Sequence, residues 1–267
     1  MVSCDFVQNQ ENSCKPMLTS QRKKAILQAL KRDGQVLAKP LAETFGVSED
    51  TVRRDLRELA ADGRLQRVHG GALPASSADA PFGERQRIES AAKRAIGKAA
   101  AGMIRDGQVV IVDGGTTSAE LVRHLPHDLR ATVVTHSPSV AVALVEHPSV
   151  DVIVIGGRLF KHSVVTVGAA AVEAMAHIRA DLYFMGVTGV HPREGLSTGD
   201  LEEAYVKRAL AARAAETVVL ASADKLNAAS AYAIGEITLA QTIIVEKGTP
   251  AALIRPLAKA GLTVVRA

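Results

Sequence analysis

The stretch VSEDTVRRDLRELAADG, residues 47–63, carries a clear helical pattern near the start of the chain. Ser48 stands where a helix N-cap belongs, and Glu49 and Asp50 follow in the first turn, where the helix dipole favours acids. Apolar residues recur at i, i+4 and i+7 and predict one buried stripe: Val52, Leu56 and Leu59. Gly63 is typical of the residue after a helix C-terminus, so the stretch predicts a short, capped amphipathic helix.

Two further helical segments precede this stretch, and a pair of short strands follows it. Residues 20–30 predict a helix with Ser20 as its N-cap. Residues 36–47, VLAKPLAETFGV, predict a second helix that ends at Gly46. Residues 64–73, RLQRVHGGAL, have the pattern of a small β-hairpin. Short helices joined by a glycine turn and followed by a hairpin predict a winged helix-turn-helix domain, an α+β fold.

Three arginines lie on the predicted outer side of the 47–63 helix: Arg53 and Arg54 are adjacent, and Arg57 follows Arg53 by four residues. A helix-turn-helix places its second helix in the DNA major groove. The arginine fork can bridge guanine O6 and N7 or clamp a phosphate. We therefore predict binding to double-stranded operator DNA, with the hairpin as a wing against the DNA backbone. The predicted DNA-contacting residues are Ser48, Glu49, Asp50, Thr51, Arg53, Arg54, Arg57, Arg64, Arg67 and His69.

An ordinary solvated helix surface is the alternative explanation, because Asp50–Arg54 and Arg54–Glu58 are both i, i+4 pairs of opposite charge. The distribution of charge favours DNA binding. Residues 15–74 contain 12 Lys and Arg against 7 Asp and Glu, whereas residues 75–267 contain 20 against 19. Residues 15–74 thus carry +5 and residues 75–267 carry +1, so the excess positive charge lies in the first quarter of the chain.

Composition sets the class of the protein. The chain has 267 residues, 47% hydrophobic and 22% charged, which suits one or two well-packed soluble domains. Its two cysteines, Cys4 and Cys14, match no zinc-site spacing. The sequence has no run of about 18 apolar residues and no signal-peptide pattern, so we expect a cytoplasmic protein without a membrane partner. No set of His, Cys and acidic residues has metal-ligand spacing, and we expect neither a metal nor a cofactor.

Changes of composition divide the chain into four segments. Residues 1–16 are polar and aperiodic, and we expect a disordered tail or an over-long start before Met17. Residues 17–73 form the predicted DNA-binding domain, and PASSADAP marks a linker at residues 74–81. Residues 82–267 form the predicted α/β domain, which would sense an effector and hold an oligomer together.

A different pattern begins after the linker. An alanine-rich helix is predicted over residues 82–104, and short apolar runs then alternate with helical stretches. The runs are QVVIVD, ATVVTHS, DVIVIGG, DLYFMGV, TVVLAS, QTIIVEK and LTVVRA. Such alternation predicts a mostly parallel sheet with helices on its faces.

The stretch DGGTT follows the first of these runs and precedes an amphipathic helix. Glycines allow backbone N–H groups close to a ligand, threonine hydroxyls add donors, and a helix N-terminus carries partial positive charge. Together they predict a phosphate-binding loop formed by Asp113, Gly114, Gly115, Thr116 and Thr117. The alternative is a tight turn with a polar helix cap. The stretch is neither a Walker loop nor a dinucleotide fingerprint, because it lacks both glycine patterns.

Further polar and glycine positions follow other predicted strands. Ligands of open α/β sheets bind beyond the carboxyl ends of the strands, where such loops converge. The positions are Thr135, His136, Ser137, Gly156, Gly157 and Gly186. The stretch GLSTGDLEEAYVKR, residues 195–208, adds Asp200, Glu202 and Lys207, with an ordinary capped helix as the alternative.

The stretch VSEDTVRRDLRELAADGRLQRVHGGAL, residues 47–73, resembles the signature of the DeoR family of bacterial transcription regulators. The serine cap, the TVRRDL sequence and the hairpin that ends in HGGA stand at the family's spacing. The resemblance extends over nearly all of residues 18–267. Two departures precede it: many members have a Ser or Thr cap where this chain has Leu37, and Pro40 falls in the first turn, where proline is tolerated.

The resemblance implies that the second domain is similar in fold to ribose-5-phosphate isomerase and glucosamine-6-phosphate deaminase and senses a sugar phosphate. It assigns the DGGTT loop to the phosphate. It also implies effector contacts from Gly156, Gly157, Asp181, Gly186, Lys207 and Lys225. The chain departs from the family pattern at His136, where many members carry Asn, and at Ser222, where an acid is commoner.

The combined prediction is a multidomain transcription regulator, a repressor of a sugar or polyol catabolic operon that is relieved by a phosphorylated sugar effector. Paired DNA half-sites require at least a dimer, so we expect a homo-oligomer, a dimer or a tetramer. The alternative is a sugar-phosphate isomerase fused to a DNA-binding module. Isomerases need a positioned base, and residues 185–190, where the similar isomerases carry acids, contain none. Asp113 leaves that alternative open, although we predict a regulator without a catalytic residue.

Overall fold

The computed structural model of the protein describes residues 17–75, residue 83 and residues 90–267. The predicted tail, residues 1–16, lies outside the described residues, and so does the predicted linker apart from its first two residues. Contacts between Cα atoms divide the chain into two compact units, with the division after Ala72. The domain boundaries given above stay a prediction.

The helices that the described residues delimit are α1 (Thr19–Asp33), α2 (Ala38–Phe45), α3 (Glu49–Ala61), α4 (Ser90–Ala101), α5 (Thr116–Arg123), α6 (Pro138–Ala143), α7 (Ala169–Met175), α8 (Leu201–Ala211) and α9 (Ala251–Lys259). The strands are β1 (Val36–Leu37), β2 (Leu65–Val68), β3 (Gly71–Pro74), β4 (Val109–Val112), β5 (Thr132–Thr135), β6 (Asp151–Val154), β7 (Arg158–Phe160), β8 (Val165–Val167), β9 (Ala180–Gly186), β10 (Gly189–His191), β11 (Gly195–Thr198), β12 (Ala214–Leu220), β13 (Tyr232–Gly235), β14 (Thr242–Val245) and β15 (Thr263–Arg266).

The first unit is a winged helix-turn-helix, as the sequence predicts. Its three helices share an apolar core, and its strands form a sheet in the order β1-β3-β2. Ile26, Val52 and Leu56 are at most 2% exposed. Gly46 joins α2 to α3 with a φ of 63°, in the left-handed region that glycine adopts without strain.

The helix starts in this unit differ in how well the sequence predicts them. Ser48 caps α3 as predicted, because its Oγ accepts the Thr51 N–H at 3.2 Å. The predicted cap of α1 is wrong. The Arg22 N–H bonds to the Leu18 carbonyl at 2.9 Å, so the first turn closes earlier and Ser20 lies inside it.

The start of α2 has no side-chain cap. Leu37 precedes the helix without such a bond, because its side chain has no hydrogen-bond acceptor. Leu37 belongs to β1, where it lies opposite Gly71 of β3. Pro40 is tolerated in the first turn, where a backbone N–H has no intrahelical acceptor. The departure from the family pattern at Leu37 thus coincides with sheet pairing by this residue.

The second unit is an α/β domain with a seven-stranded parallel sheet in the order β15-β14-β12-β9-β4-β5-β6. Each of the seven strands overlaps one of the predicted apolar runs, and the predicted fold class is confirmed. Apolar clusters cover both faces of the sheet: Ile111 belongs to one cluster, and Val110 and Val112 belong to the other. Burial of both faces explains why the runs are continuously apolar.

Antiparallel strands add two small sheets that the sequence does not predict. Strands β10, β11 and β13 form one of them, and β7 and β8 form a hairpin. Each has three or four residues, and the sequence shows no long apolar run there. Pairing between distant segments, rather than a local pattern, determines these strands.

The alanine-rich helix is shorter at its end than predicted. Helix α4 ends at Ala101, because the N–H groups of Met103 and Ile104 bond to carbonyls only three residues back and close the helix with tight turns. The predicted start of this helix, at residue 82, lies outside the described residues.

Two neighbouring strands bring the polar loops of this unit together. In the parallel pair β4 and β9, Val112 lies opposite Phe184. Asp113 follows β4, and Gly186 ends β9. Both loops therefore lie at the carboxyl edge of the sheet, where α/β proteins bind their ligands.

Candidate functional site

The exposed side of α3 carries the predicted arginines Arg53, Arg54 and Arg57. Arg53 bonds within the helix, with Nη2 at 2.6 Å from Glu49 Oε2 and Nη1 at 3.3 Å from Asp50 Oδ1. Arg54 and Arg57 form no ion pair with any residue that the structure describes. Two guanidinium groups of this surface are therefore available to an anionic partner.

The ion pairs of the surface-helix alternative, Asp50–Arg54 and Arg54–Glu58, do not form among the described residues. Asp50 contacts Arg53 instead, and Glu58 contacts Lys23 Nζ of α1 at 2.7 Å. The acids near Arg54 are thus engaged with other cations.

The remaining predicted DNA contacts lie at the start of α3 and on the wing. The hydroxyls of Ser48 and Thr51 are 2.9 Å apart at the helix N-terminus. Arg64, Arg67 and His69 are exposed before, within and after β2. Helix α3 contacts β2, so all ten predicted residues belong to two touching parts of the first unit.

A buried ion pair that the sequence reasoning misses fixes α3 against α1. Asp55 is fully buried, and its two carboxylate oxygens contact Nε and Nη2 of Arg22, the second at 3.1 Å. Such a bidentate pair sets orientation as well as distance. Asp55 occupies a position of the apolar stripe, three residues after Val52, and a charge at a stripe position is the signal that predicts a buried partner.

Asp113 is the centre of a hydrogen-bond network at the carboxyl end of β4. The residue is fully buried. Its Oδ1 accepts from Gly114 N–H at 2.7 Å and from His136 Nε2 at 2.7 Å, and its Oδ2 accepts from Tyr183 Oη–H at 3.2 Å, Gly186 N–H at 2.9 Å and Lys207 Nζ. The carboxylate thus ties the loop after β4 to the end of β9.

The charges of this network stabilise one another. Burial alone would raise the pKa of Asp113, but the Lys207 charge and the His136 hydrogen bond hold the pKa well below its usual range. Burial alone would lower the pKa of Lys207, yet the carboxylates of Asp113 and Glu203 raise it. Burial, and then the Asp113 charge, raises the pKa of Tyr183. At neutral pH Asp113 is therefore a carboxylate and Lys207 an ammonium.

Lys207 uses all of its ammonium hydrogens inside the protein. Its Nζ contacts Asp113 Oδ2, the Gly186 carbonyl at 2.9 Å and Glu203 Oε1 at 3.1 Å. An ammonium group has three donors and no acceptor. Lys207 therefore has no hydrogen left for a ligand, and its charge is balanced by the Asp113 and Glu203 carboxylates.

His136 is buried between two oxygen acceptors. Its Nε2 lies 2.7 Å from Asp113 Oδ1, and its Nδ1 lies 2.9 Å from the Thr166 carbonyl oxygen. A neutral imidazole has one N–H and can donate to one of these oxygens, whereas an imidazolium donates to both. His136 therefore links the Asp113 carboxylate to the Thr166 carbonyl, and both of its ring nitrogens are used inside the protein.

A pocket lies beside this network, with an empty volume of about 590 Å³ that includes its open mouth. The residues that line it are Lys93, Gly114, Gly115, Thr116, Thr117, Ser118, Ser163, Gly186, Val187, Thr188, Thr198, Glu203, Lys207, Asp224 and Lys225. Three of these described residues are lysines and two are acids, and Lys207 is paired with Glu203 and with Asp113 of the network.

The first turn of α5 forms one wall of the pocket. Gly115 precedes the helix with a φ of 117°, which favours glycine. A Cβ atom on Gly114 would lie 2.1 Å from Val165 Cγ1, so this position also excludes a side chain. The first N–H groups of a helix lack intrahelical acceptors, and Thr116 and Thr117 contribute two of them to this wall. Such a wall can bind an anion such as a phosphate, a sulfate or a carboxylate.

Two family models cover most of the chain. One, described as "DeoR C terminal sensor domain", matches residues 88–247, and the other, "DeoR-like helix-turn-helix domain", matches residues 22–78. The chain belongs to the DeoR family.

Members of the DeoR family are similar to this chain over nearly their whole length. The HTH-type transcriptional regulator GlpR of Haloferax volcanii is 32% identical, over 93% of this chain and 98% of its own. The Glycerol-3-phosphate regulon repressor of Escherichia coli K12 is 28% identical, over 90% of this chain and 96% of its own. The chain is accordingly a transcription regulator.

A solved structure is similar to part of the chain. Ribose 5-phosphate isomerase A from Neisseria gonorrhoeae covers 54% of this chain and 54% of its own at 14% identity, with a TM-score of 0.38. At this TM-score and identity, the similarity gives no information about the activity of the DeoR-family chain.

Half of the predicted effector residues line the pocket: Gly114, Gly115, Thr116, Thr117, Gly186, Lys207 and Lys225. Asp113 and His136 do not line the pocket but belong to the hydrogen-bond network beside it. Thr135 and Ser137 are also internal, because Thr135 Oγ1 donates to the Val112 carbonyl at 2.7 Å and Ser137 Oγ donates to the Val164 carbonyl at 3.0 Å.

The structure does not bring three predicted residues to the pocket. Asp181 lies near the amino end of β9, five residues or roughly 16 Å before Gly186, and its Oδ2 accepts the Val109 N–H at 2.9 Å. Gly156 and Gly157 join β6 to β7, and β6 is the edge strand beyond β5. Their loop is therefore separated from β4 by a full strand.

Sequence reasoning misses other polar residues of the pocket: Lys93, Ser118, Ser163, Thr188, Thr198, Glu203 and Asp224. In the stretch 195–208, Asp200 caps α8 by accepting the Glu203 N–H at 2.9 Å, and Glu203 rather than Glu202 lines the pocket. The i, i+4 pair of Glu203 and Lys207 is the signal that could have identified it. The family pattern has an acid at the position of Ser222. In this chain an acid, Asp224, stands two residues later.

Two further expectations can be compared with the described ranges, residues 17–75 and 90–267. No group of three or more His, Cys, Asp and Glu residues in these ranges could hold a metal ion. No helix in them is long and apolar enough to cross a membrane.

Proposed function

We propose that this DeoR-family regulator is a repressor of a sugar or polyol catabolic operon and that a phosphorylated sugar or polyol relieves the repression. Helix α3 and the wing bind operator DNA, and the pocket of the second unit binds the effector. The proposal rests on the wall at the start of α5, where backbone N–H groups face a pocket that Lys93 and Lys225 also line. The name of the Escherichia coli relative includes a phosphorylated polyol, glycerol 3-phosphate, which supports the assignment.

The arrangement of the DNA-binding unit supports an oligomer. One helix-turn-helix reads one half-site, so two copies read a paired operator. We therefore propose a homo-oligomer, a dimer or a tetramer, that acts on DNA in the cytoplasm. Arg54 and Arg57 of α3 are the residues whose exposure most directly supports DNA contact.

An isomerase is the second candidate, because Glu203 is a buried carboxylate that lines the pocket. We propose a regulator without catalysis. Asp113 accepts five hydrogen bonds and has a lowered pKa, which makes it a weak base. Glu203 is held by Lys207 at 3.1 Å and by the Ser163 hydroxyl at 3.2 Å.

A thermal-shift screen followed by DNA titration tests the proposal. A ligand that binds only the folded protein raises its melting temperature. We expect a phosphorylated sugar or polyol to raise it and its unphosphorylated counterpart, at equal concentration, to leave it unchanged. The same ester should weaken binding to an operator selected from random duplexes by the wild-type chain. Stabilisation by the unphosphorylated compound alone would contradict the proposal.

Turnover separates the two candidates. Each stabilising ester is incubated with the protein and followed by ³¹P and ¹H NMR. We expect the ester to remain unchanged at catalytic and at equimolar protein concentration. Conversion between aldose and ketose forms would instead support the isomerase.

A further inference from the structure

Two threonine hydroxyls in the pocket have no hydrogen-bond partner among the described residues. Thr117, in the first turn of α5, is 4% exposed, and Thr198, at the end of β11, is 0% exposed. Both residues line the pocket. Buried polar groups are nearly always hydrogen-bonded, and an unpartnered one destabilises the folded state. The two hydroxyls therefore indicate a partner from outside the chain.

Other buried threonines of the same unit have protein partners. Thr135 Oγ1 donates to the Val112 carbonyl at 2.7 Å, and Thr242 Oγ1 donates to Glu216 Oε1 at 2.8 Å. Burial in this sheet does not by itself leave a hydroxyl without a partner. The pocket is what distinguishes the two unpartnered threonines.

Helix α8 contacts β11, and both Thr198 and Glu203 line the pocket, so Glu203 adds acceptors to the wall that contains Thr198. Asp200, two residues after Thr198, caps α8, and Glu203 lies in the first turn of that helix. Glu203 Oε1 lies 3.1 Å from Lys207 Nζ, and Oε2 accepts from Ser163 Oγ at 3.2 Å. A carboxylate offers about four acceptor positions, so Glu203 retains acceptor capacity beyond these two contacts.

The two walls differ in the groups that they attract. The start of α5 offers N–H donors and partial positive charge, which suit a phosphate. The Glu203 carboxylate repels a phosphate and attracts hydrogen-bond donors. A ligand hydroxyl is both a donor and an acceptor, so it can donate to Glu203 and bond to the Thr198 hydroxyl.

We propose that Thr198 and Glu203 form a hydroxyl-binding part of the pocket and that these two residues recognise the hydroxylated carbon chain of the phosphate ester. The inference rests on the proposed function, since it takes the phosphate to bind at the start of α5. Beyond that function, we assign recognition of the remainder of the ligand to Thr198 and Glu203. Thr117 belongs to the phosphate end, because its backbone is part of the α5 wall.

Calorimetric titration of the full chain with matched esters tests this assignment. The probes are n-propyl phosphate with sn-glycerol 3-phosphate, and n-pentyl phosphate with ribitol 5-phosphate. We expect the hydroxylated ester of at least one pair to bind the wild type about tenfold or more tightly than its alkyl counterpart, as a single charged hydrogen bond can provide.

Thr198→Val keeps the shape of the side chain and removes its hydroxyl. We expect the variant to lose the preference for the hydroxylated ester and to bind the alkyl ester as the wild type does. Its melting temperature without ligand should be equal or higher, because an unpartnered buried hydroxyl has been removed. Opposite effects on ligand preference and on stability distinguish a ligand contact from a structural role.

Three further variants serve as controls. Thr198→Ser retains a hydroxyl and should retain the preference. Thr242→Val removes a hydroxyl that bonds to Glu216, so it should lower the melting temperature and keep the preference. Thr117→Val should weaken alkyl and hydroxylated esters alike.

The outcomes separate this inference from the proposed function. Equal affinity of the wild type for both members of each pair, or a preference that survives in Thr198→Val, overturns the inference and leaves the phosphate wall intact. Failure of every ester to bind the wild type overturns both. If Thr198→Val does not fold, Glu203→Gln decides, because an unchanged preference in that variant overturns the inference and a lost one supports it.

Discussion

The Asp113 carboxylate joins two loops that lie 73 residues apart in the chain. It accepts the N–H groups of Gly114 and Gly186, at the carboxyl ends of the neighbouring strands β4 and β9. Lys207 and His136 contact the same carboxylate from two other elements. The residue therefore acts through the geometry of the pocket, and no ligand needs to touch it.

Asp113→Asn tests this role by removing the charge and keeping the size. Removing one partner of a buried ion pair typically costs about 3–5 kcal/mol, and we expect a loss of that order in the free energy of unfolding. Urea denaturation at pH 7 measures it. Asp181→Asn, at an exposed carboxylate of the same strand system, should cost less than about 1 kcal/mol. A small loss at both positions would contradict the supporting role of Asp113.

The acid limb of stability gives a second test at this scale. The folded-state pKa of Asp113 lies below the unfolded value of about 3.9, so its contribution is fully present above that value and is lost as pH falls further. We expect the unfolding free energy of the wild type to fall more steeply below about pH 4 than that of Asp113→Asn. Urea denaturation at a series of pH values compares them. Equal slopes would assign the acid loss to other carboxylates.

The ion pairs of Lys207 determine how the free energy of unfolding changes on the alkaline side. Its folded-state pKa is raised, so its contribution is present below the unfolded value of about 10.4 and is lost as pH rises through the folded value. The network therefore remains intact across the neutral range.

At the scale of the element, α3 shows what a local pattern can and cannot predict. The Ser48 cap, the glycine turn before it and the buried stripe all follow from nearest neighbours in sequence. The partner of Asp55 does not, because Arg22 lies 33 residues earlier on another helix. A sequence indicates that such a buried charge needs a partner, but only the packing of helices determines which one.

In the second unit, too, local sequence predicts some strands, and pairing between distant segments determines others. The seven strands of the parallel sheet are predicted because each overlaps a continuous apolar run. The strand that ends at Thr198 is not predicted, since β11 contains no such run and forms by pairing with β10 and β13. The position of Asp181 could have been judged better: it stands at the start of its apolar run, and ligand loops follow the end of a strand.

Arg54→Ala tests the assignment of α3 to DNA. The side chain is exposed and has no ion-pair partner among the described residues, so the free energy of unfolding should change by no more than about 0.5 kcal/mol. Operator binding should weaken by about 1–3 kcal/mol if Arg54 reads a base, or its salt dependence should fall by about one if it contacts a phosphate. Fluorescence anisotropy at several salt concentrations measures both.

Arg123→Ala is the matched control, because Arg123 is an exposed arginine of the second unit. It should leave operator affinity unchanged. If Arg54→Ala and Arg123→Ala have the same effect, α3 is not the recognition helix.

At the scale of the whole molecule, the proposed function requires the pocket in one unit to influence DNA binding by the other. An effector can shift operator affinity only by the difference between its affinities for the two states of the protein. Such couplings are typically about 1–3 kcal/mol. A protein that cannot bind the effector should therefore keep the operator affinity of its ligand-free state.

Thr116→Asp provides that protein. Thr116 is the first residue of α5, where a carboxylate favours the helix, so the fold should be retained. The same carboxylate would occupy and repel the position of a bound phosphate. Thr116→Ala is the control, since it removes at most one hydrogen bond, worth about 1.5–3 kcal/mol to an anion.

The most direct measurement is the operator affinity of wild type, Thr116→Ala and Thr116→Asp, each with and without the phosphate ester that stabilises the wild type most. We expect equal affinities without the ester. With it, the wild type should release the operator, Thr116→Ala should do so at higher ester concentration, and Thr116→Asp should remain bound. A Thr116→Asp protein that releases the operator at the same ester concentration as the wild type would contradict the assignment of the phosphate to this pocket.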